Sequence, residues 1–346
     1  MPPPATVLKI AGHAVYLRGN DLYVGALDGG GEVALTRGSL GAGYAGSTVI
    51  GGTAWLYYTS MFARTGAGTL RPGGSFRVMR RALGGGQEQV LLEFAGSDKN
   101  VEFFGSNASV SPDGRFIAYS ATDGLHRYDL NTRTDIVLLA NKPCVTPDQP
   151  EGVPGCYGYY DPVWSPRGDW LVVRKIFYEG ARAALVRPLA PGSPAITLDA
   201  GGLLAAWTPD GSRLCISQSG YAGGGARVLF PDTGAYRDLG PARESAAGCA
   251  WSGSGALVVR FIDGTPEGSR LTFWDAGLTS DRSIQIPDSA LCTCVWLPGD
   301  RGVIVREVAG TGQRGPHLLT YALAIMVDGR LNSLAVNADT VLAVLP

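Results

Sequence analysis

Only three histidines occur in the 346 residues, His13, His126 and His317. They fall in separate stretches of the chain, so neither a several-imidazole metal centre nor a Ser-His-Asp triad has the side chains it needs. Ser252-Gly-Ser-Gly255 contains a Gly-Ser-Gly stretch, but no helix follows it, as a nucleophile elbow requires, and it reads as a turn. Gly84-Gly-Gly86 and Gly223-Gly-Gly225 lack the helix and the Lys-Ser/Thr pair of a phosphate loop, and read as hairpin tips. The Asp of Ser-Pro-Asp-Gly recurs at Asp113 and Asp210. One carboxylate per turn is too few for calcium, which takes six or more oxygens, so these acids are expected to brace their turns. No cofactor and no metal is expected.

Carboxylates, aromatics and cations cluster instead in a few irregular segments. The first is the excursion of residues 60–74, with Arg64 and Arg71. The second ends in Tyr157-Gly-Tyr-Tyr-Asp161, offering Tyr157, Tyr159, Tyr160 and Asp161. The third carries Tyr178 and Glu179, with Tyr221 and Glu244 further on. Tyrosines and arginines give large contact area at low entropy cost, which suits a protein, peptide or glycan partner. Asp161, Glu179 and Glu244 are also the candidates for acid–base chemistry, which needs two carboxyls held about 5–10 Å apart.

Six cysteines are present. Cys144 and Cys156 bracket a segment with three prolines and two glycines, which cannot lie inside a strand. A Cys144–Cys156 disulfide would close that loop and limit its disorder; two free thiols are the alternative. Cys249, Cys292 and Cys294 sit on apolar runs, where they are either small buried thiols or partners across adjacent units. Cys292-Thr-Cys294 lacks the second ligand pair of a zinc site. Disulfides would imply an oxidising, extracytoplasmic compartment, with the cytoplasm as the alternative.

These residues are positioned by a repeat. Val110-Ser-Pro-Asp-Gly114, Trp164-Ser-Pro-Arg-Gly168, Trp207-Thr-Pro-Asp-Gly211, Trp251-Ser-Gly-Ser-Gly255 and Trp296-Leu-Pro-Gly-Asp300 start 54, 43, 44 and 45 residues apart. Such a period means units too small to bury a core alone. Each unit reads as strand, turn, strand, turn, strand, turn, strand. In one, residues 107–110 lead into the turn, then 115–120, 125–130 and 135–139 follow as β-rich runs. Two units without the turn motif precede these, over residues 6–36 and 44–94. Two plus five gives a seven-bladed β-propeller of four-stranded antiparallel blades. It forms one domain over residues 1–346, closed by a final strand at 340–344 pairing with the first unit. If the first and last units share a blade, the count is six. The long step of 54 coincides with the Cys144–Cys156 segment, an insertion of about ten residues. The repeated Trp is expected to fill the wedge between blades.

Composition narrows the partners. Net charge is −1, charged residues are 17%, and the only adjacent basic pairs are Arg80-Arg81 and Arg174-Lys175. No clustered footprint for nucleic acid appears. No run of about 18 apolar residues offers a membrane span. The start, Met-Pro-Pro-Pro-Ala-Thr, is not a signal peptide, although a removed leader or anchor upstream stays open.

The Val/Trp-Ser/Thr-Pro-Asp-Gly motif, followed by an apolar strand and then an alternating one with an aromatic (residues 115–119 and 125–130), resembles the TolB-like propeller repeats, related to WD repeats. The resemblance covers residues 98–310 by motif and the earlier units by strand pattern. It departs at Ser252-Gly-Ser-Gly255 and at Leu297-Pro-Gly-Asp300, sites that can still turn. It leaves no room for TolB's separate N-terminal domain. It implies a rigid interaction platform. The expectation is therefore a non-catalytic binding or sensor module, alone or within a larger anchored receptor. A propeller hydrolase or lyase acting on a glycan or peptide is the alternative.

Overall fold

A computed structural model of the chain describes residues 12–62, 75–95, 108–142, 156–177, 180–198, 202–218, 225–240, 245–262, 269–286, 290–307, 321–326, 331–338 and 340–345. Its strands make seven four-stranded antiparallel sheets, the blades of a propeller. The leading strands of sheets two to seven are β4 (Gly41–Ile50), β8 (Ala108–Val110), β12 (Tyr157–Trp164), β16 (Gly202–Trp207), β20 (Ser245–Trp251) and β24 (Ala290–Trp296). Sheet one is led by the last strand of the chain, β28 (Thr340–Leu345), which pairs antiparallel with β1 (His13–Arg18), Ala14 facing Val344. The first unit thus borrows its fourth strand from the C-terminal residues, and the count stays at seven.

The chain divides into two compact units, residues 38–202 and residues 1–37 with 203–346. In the first, β4, β8 and β12 lie side by side; in the second, β20, β24 and β28 do. Within each unit, neighbouring sheets bury apolar faces against one another. Val15, Leu22, Ile117, Leu171, Leu214 and Leu257 are fully buried, as are Tyr57 and Tyr58. A four-stranded unit alone could cover neither face, so the period in the sequence and the burial in the structure have one cause.

The repeat motif does two jobs. Its Ser or Thr ties the leading strand to the next strand of the same sheet. Ser111 N–H donates to Phe116 O (2.9 Å) while Ser111 Oγ accepts from Phe116 N–H (2.8 Å). The same reciprocal pair joins Ser165 with Trp170, Thr208 with Arg213, and Ser252 with Ala256. The glycine that ends each turn sits at positive φ, from 69° at Gly211 to 84° at Gly255, where a side chain would be strained. The acids brace the turn as expected. Asp113 Oδ1 accepts from Ser111 Oγ–H (2.5 Å) and Arg115 N–H (3.0 Å). Ser252-Gly-Ser-Gly255 lacks this acid, and the next repeat supplies one: Asp300 accepts from Gly253 N–H (3.1 Å) and Ser254 N–H (3.3 Å).

The motif's Trp ties sheet to sheet. Trp164 Nε1–H donates to Ser109 O (3.1 Å), Trp251 to Ala206 O (3.0 Å) and Trp296 to Ala250 O (3.0 Å). The acceptor is each time the residue just before the first motif position of the preceding sheet. The ring fills the wedge, and its one polar atom pairs with a backbone carbonyl.

Trp251→Phe keeps most of the ring and removes the donor. It is expected to lower the unfolding free energy by about 1–3 kcal/mol in urea titrations; an unchanged midpoint would contradict the role given to the indole. Acid sensitivity follows from two carboxyls. A hydrogen bond from Arg115, then backbone N–H groups at Asn131 and Thr132, lowers Asp129 to about 2. Thr208, then Ser212, lowers Asp210 to about 2. Groups depressed on folding stabilise the fold above the ordinary carboxylate range and lose that contribution as pH falls through the folded value. Melting temperature is therefore expected to hold level down to about pH 4.5 and to fall between about 4 and 2. Asp129→Asn should flatten part of that limb, and an identical limb in the variant would count against it.

Candidate binding face on the fourth sheet

The fourth sheet collects the predicted residues that the structure describes. β12 pairs with β13 (Leu171–Phe177), which pairs with β14 (Gly180–Val186). Register sets Tyr157 opposite Phe177, and Tyr159 opposite Lys175, which is itself opposite Arg182. Directly opposed residues and alternate residues share a sheet face. Tyr157, Lys175 and Phe177, each half-buried, and the exposed Arg182 therefore share one aromatic and cationic face with Tyr159, which is itself buried in the core cluster of the third and fourth sheets.

Its centre is Lys175. The Lys175 Nζ lies 3.9 Å from the Tyr157 ring centroid and 5.8 Å from that of Tyr159, and the two rings meet edge to face at 5.6 Å. The Arg182 guanidinium lies 5.5 Å from the Phe177 ring. Lys175 has no carboxylate partner among the described residues. Its charge is held by ring quadrupoles, an arrangement worth about 0.5–1 kcal/mol per contact at partly exposed sites. Burial, then the neighbouring Tyr157 phenol, raises the pKa of Tyr159, which stays a neutral phenol.

The opposite face is set by a β-bulge. Tyr160 pairs with Arg174 and Val163 with Val172, so Asp161 and Pro162 together oppose Val173. Asp161 has φ of 50°, in the left-handed region that Asp tolerates better than most residues, and Pro162 has no N–H to lose from the ladder. The bulge brings Asp161 onto Arg174 in an ion pair whose side chains are 24% and 11% exposed. Burial raises the Asp161 carboxyl and the Arg174 charge opposes that rise. Tyr160 is buried, and a Cβ at Gly158 would come within 2.5 Å of its hydroxyl, so glycine is required there.

The entry to this sheet is also pinned. Lys142 and Tyr157 exchange two backbone hydrogen bonds (2.9 and 3.0 Å), and Asn141 Oδ1 accepts from Tyr159 N–H (2.9 Å). Cys156 and Cys294 are each engaged in a disulfide, whereas Cys215 and Cys249 are free and buried. Cys144 lies outside the described residues, as do Arg64, Arg71, Tyr178, Glu179, Tyr221 and Glu244.

Two other places gather polar chemistry. His126 lies between two carboxylates, Nε2 at 2.8 Å from Asp123 Oδ1 and Nδ1 at 3.1 Å from Asp135 Oδ2, with Tyr119 donating to Asp135 at 2.7 Å. The ring is stacked on Tyr119, and among the described residues no Ser, Thr or Cys side chain joins the network, so it braces the third sheet. A concavity of about 450 Å³ in the other unit is lined by Trp207, Trp251, Trp296, Pro298, Asp300 and Leu345. Its indole N–H groups at 251 and 296 are already spent on backbone carbonyls. Among the described residues no three His, Cys, Asp or Glu side chains converge as a metal site would need.

No family model matches the chain, and no curated protein matches it in sequence. Solved structures do. A prolyl endopeptidase is 13% identical over 93% of this chain and 49% of that one, with a TM-score of 0.57. This chain therefore spans about half the length of that enzyme. An oligogalacturonate lyase in complex with manganese is 16% identical over 94% and 86%, with a TM-score of 0.55. TolB from Acinetobacter baumannii is 12% identical over 96% and 82%, with a TM-score of 0.48. At these identities the likeness establishes the propeller fold and no activity.

Replacing Arg174 with Met strands the Asp161 carboxylate. The expected cost at neutral pH is about 2–3 kcal/mol, below that of a fully buried pair because Asp161 keeps some solvent contact. Its raised pKa penalises the folded state above the ordinary carboxylate range, so the variant should recover as pH falls toward 4. Melting curves at pH 7 and pH 4 test this; equal losses at both would contradict it.

Proposed function

We propose that the chain is a non-catalytic binding propeller whose Tyr157–Tyr159–Lys175 face receives an anionic segment of a protein, peptide or glycan partner. One observation carries the reading: Lys175 is a strand cation presented on two aromatic rings, with no carboxylate partner among the described residues. An incoming carboxylate would find its counter-charge already oriented, with little side-chain freedom left to lose. The aromatic surroundings add contact area and exclude water from that pair.

An oxidising, extracytoplasmic setting belongs to the same proposal. The disulfide at Cys156 supports it, with Cys144 as the partner that would close the inserted loop beside the face. The hydrolase or lyase alternative needs a second carboxyl near Asp161, whose carboxylate is taken up by Arg174.

Titration calorimetry with two probes tests the reading, trigalacturonate as an anionic glycan and a tetraglutamate peptide as an anionic peptide. Saturable binding to at least one is expected, weakened about tenfold or more by Lys175→Met, with the probe recovered intact. Binding that ignores the substitution would remove the face from the account, and cleavage of the probe would favour the enzyme.

A further inference from the structure

The two cysteines that are free among the described residues, Cys215 and Cys249, occupy a place of their own in the repeat. Cys249 lies two residues before its motif Trp on β20. Cys215 lies on β17 (Leu214–Gln218), the second strand of the preceding sheet. The strands pack side by side, and both side chains belong to one apolar cluster with Leu257, Val259 and Phe261. Cys215 is 0% and Cys249 8% exposed. The next junction shows what normally stands there. Allowing for the turn that is one residue shorter, Val258 corresponds to Cys215 and Cys294 to Cys249, and those two again share a core cluster. The repeat thus places these two positions against each other, and the Cys215/Cys249 junction fills both with thiols.

We propose that Cys215 and Cys249 are an oxidation site that closes into a disulfide bolting the fifth sheet to the sixth. Burial, followed by the neighbouring Cys249 thiol, raises the pKa of Cys215. The native reduced pair is therefore a poor nucleophile, and the bond forms during folding or on local opening. The oxidant is a disulfide, either a small molecule such as oxidised glutathione or a protein oxidase. One protein thiolate attacks it, expelling one thiol and leaving a mixed disulfide. The second thiolate attacks the protein sulfur of that bond and expels the other thiol. Two protons and two electrons leave the protein, and the oxidant becomes two thiols. This inference does not depend on the binding face of the fourth sheet.

The test is peptide mapping of the wild-type chain, reduced and unfolded, then refolded in a glutathione buffer poised oxidising. Free thiols are blocked with N-ethylmaleimide in denaturant before digestion. The expected result is one species joining the Cys215 and Cys249 peptides, lighter than their sum by two hydrogens and carrying no maleimide. Recovery of both peptides separately with maleimide attached, from protein shown by circular dichroism to have refolded, would overturn the proposal. Folded reduced protein exposed to the same buffer should form the link at least tenfold more slowly than refolding protein. Equal rates would contradict the burial argument. A Cys215→Val, Cys249→Ala double variant, which puts aliphatic side chains at both positions, should lose the linked species while folding normally.

Discussion

The indole N–H that three of the repeats send to a carbonyl of the sheet before them is the contact on which the architecture turns. A four-stranded sheet has two apolar faces and no means of covering either. Stacking covers them, but apolar contact alone leaves the sliding of one sheet over the next weakly determined. A hydrogen bond with one donor and one acceptor fixes that offset, and three are described, from Trp164, Trp251 and Trp296. The next residue of each motif is engaged with the second strand of its own sheet, by its backbone throughout and by a Ser or Thr hydroxyl at four of the five. Adjacent positions in sequence therefore set sheet-to-sheet and strand-to-strand geometry together.

β12 shows how this anchoring serves a surface. At its C-terminal end Trp164 is buried and bonded to Ser109, and Ser165 beyond it is bonded to Trp170. At its N-terminal end Tyr157 and Tyr159 flank Lys175. Between them the bulge at Asp161 and Pro162 separates the two environments and takes the Arg174 charge to the far face. A strand anchored at both ends and interrupted in the middle can vary the side chains on either side of the interruption without disturbing the stack. The face proposed for binding is built on strands, and its rings and ammonium are held in register by the ladder.

Much of this was legible in the residues. The spacing of five turn motifs, with two further strand groups, implied seven four-stranded units, and the closing strand was visible as an orphan at 340–344. The position of Val110, where the other repeats have Trp, still heads a turn because the Ser and Gly that shape it remain. The bracing of Ser252-Gly-Ser-Gly255 was not legible, because Asp300 reaches it from a repeat 46–47 residues away. The aromatic run at 157–161 marked the right segment but not its use. Arg174 and Lys175 looked like one basic pair; alternation along a strand sends them to opposite faces, one to the half-buried Asp161 carboxylate and one to two tyrosines. The bulge that makes this pairing possible is a backbone event at one Asp-Pro step, and strand periodicity carries no sign of it.

Exchange of the indole N–H protons, followed by nitrogen–proton NMR after transfer into heavy water, tests the stacking account most directly. The chain has seven tryptophans, so each side-chain signal can be assigned by substitution. The signals of Trp164, Trp251 and Trp296 are expected to persist for hours, as a donor buried and bonded between sheets requires. Loss of all three within the dead time, in protein that is otherwise folded, would mean that the indoles do not lock sheet to sheet.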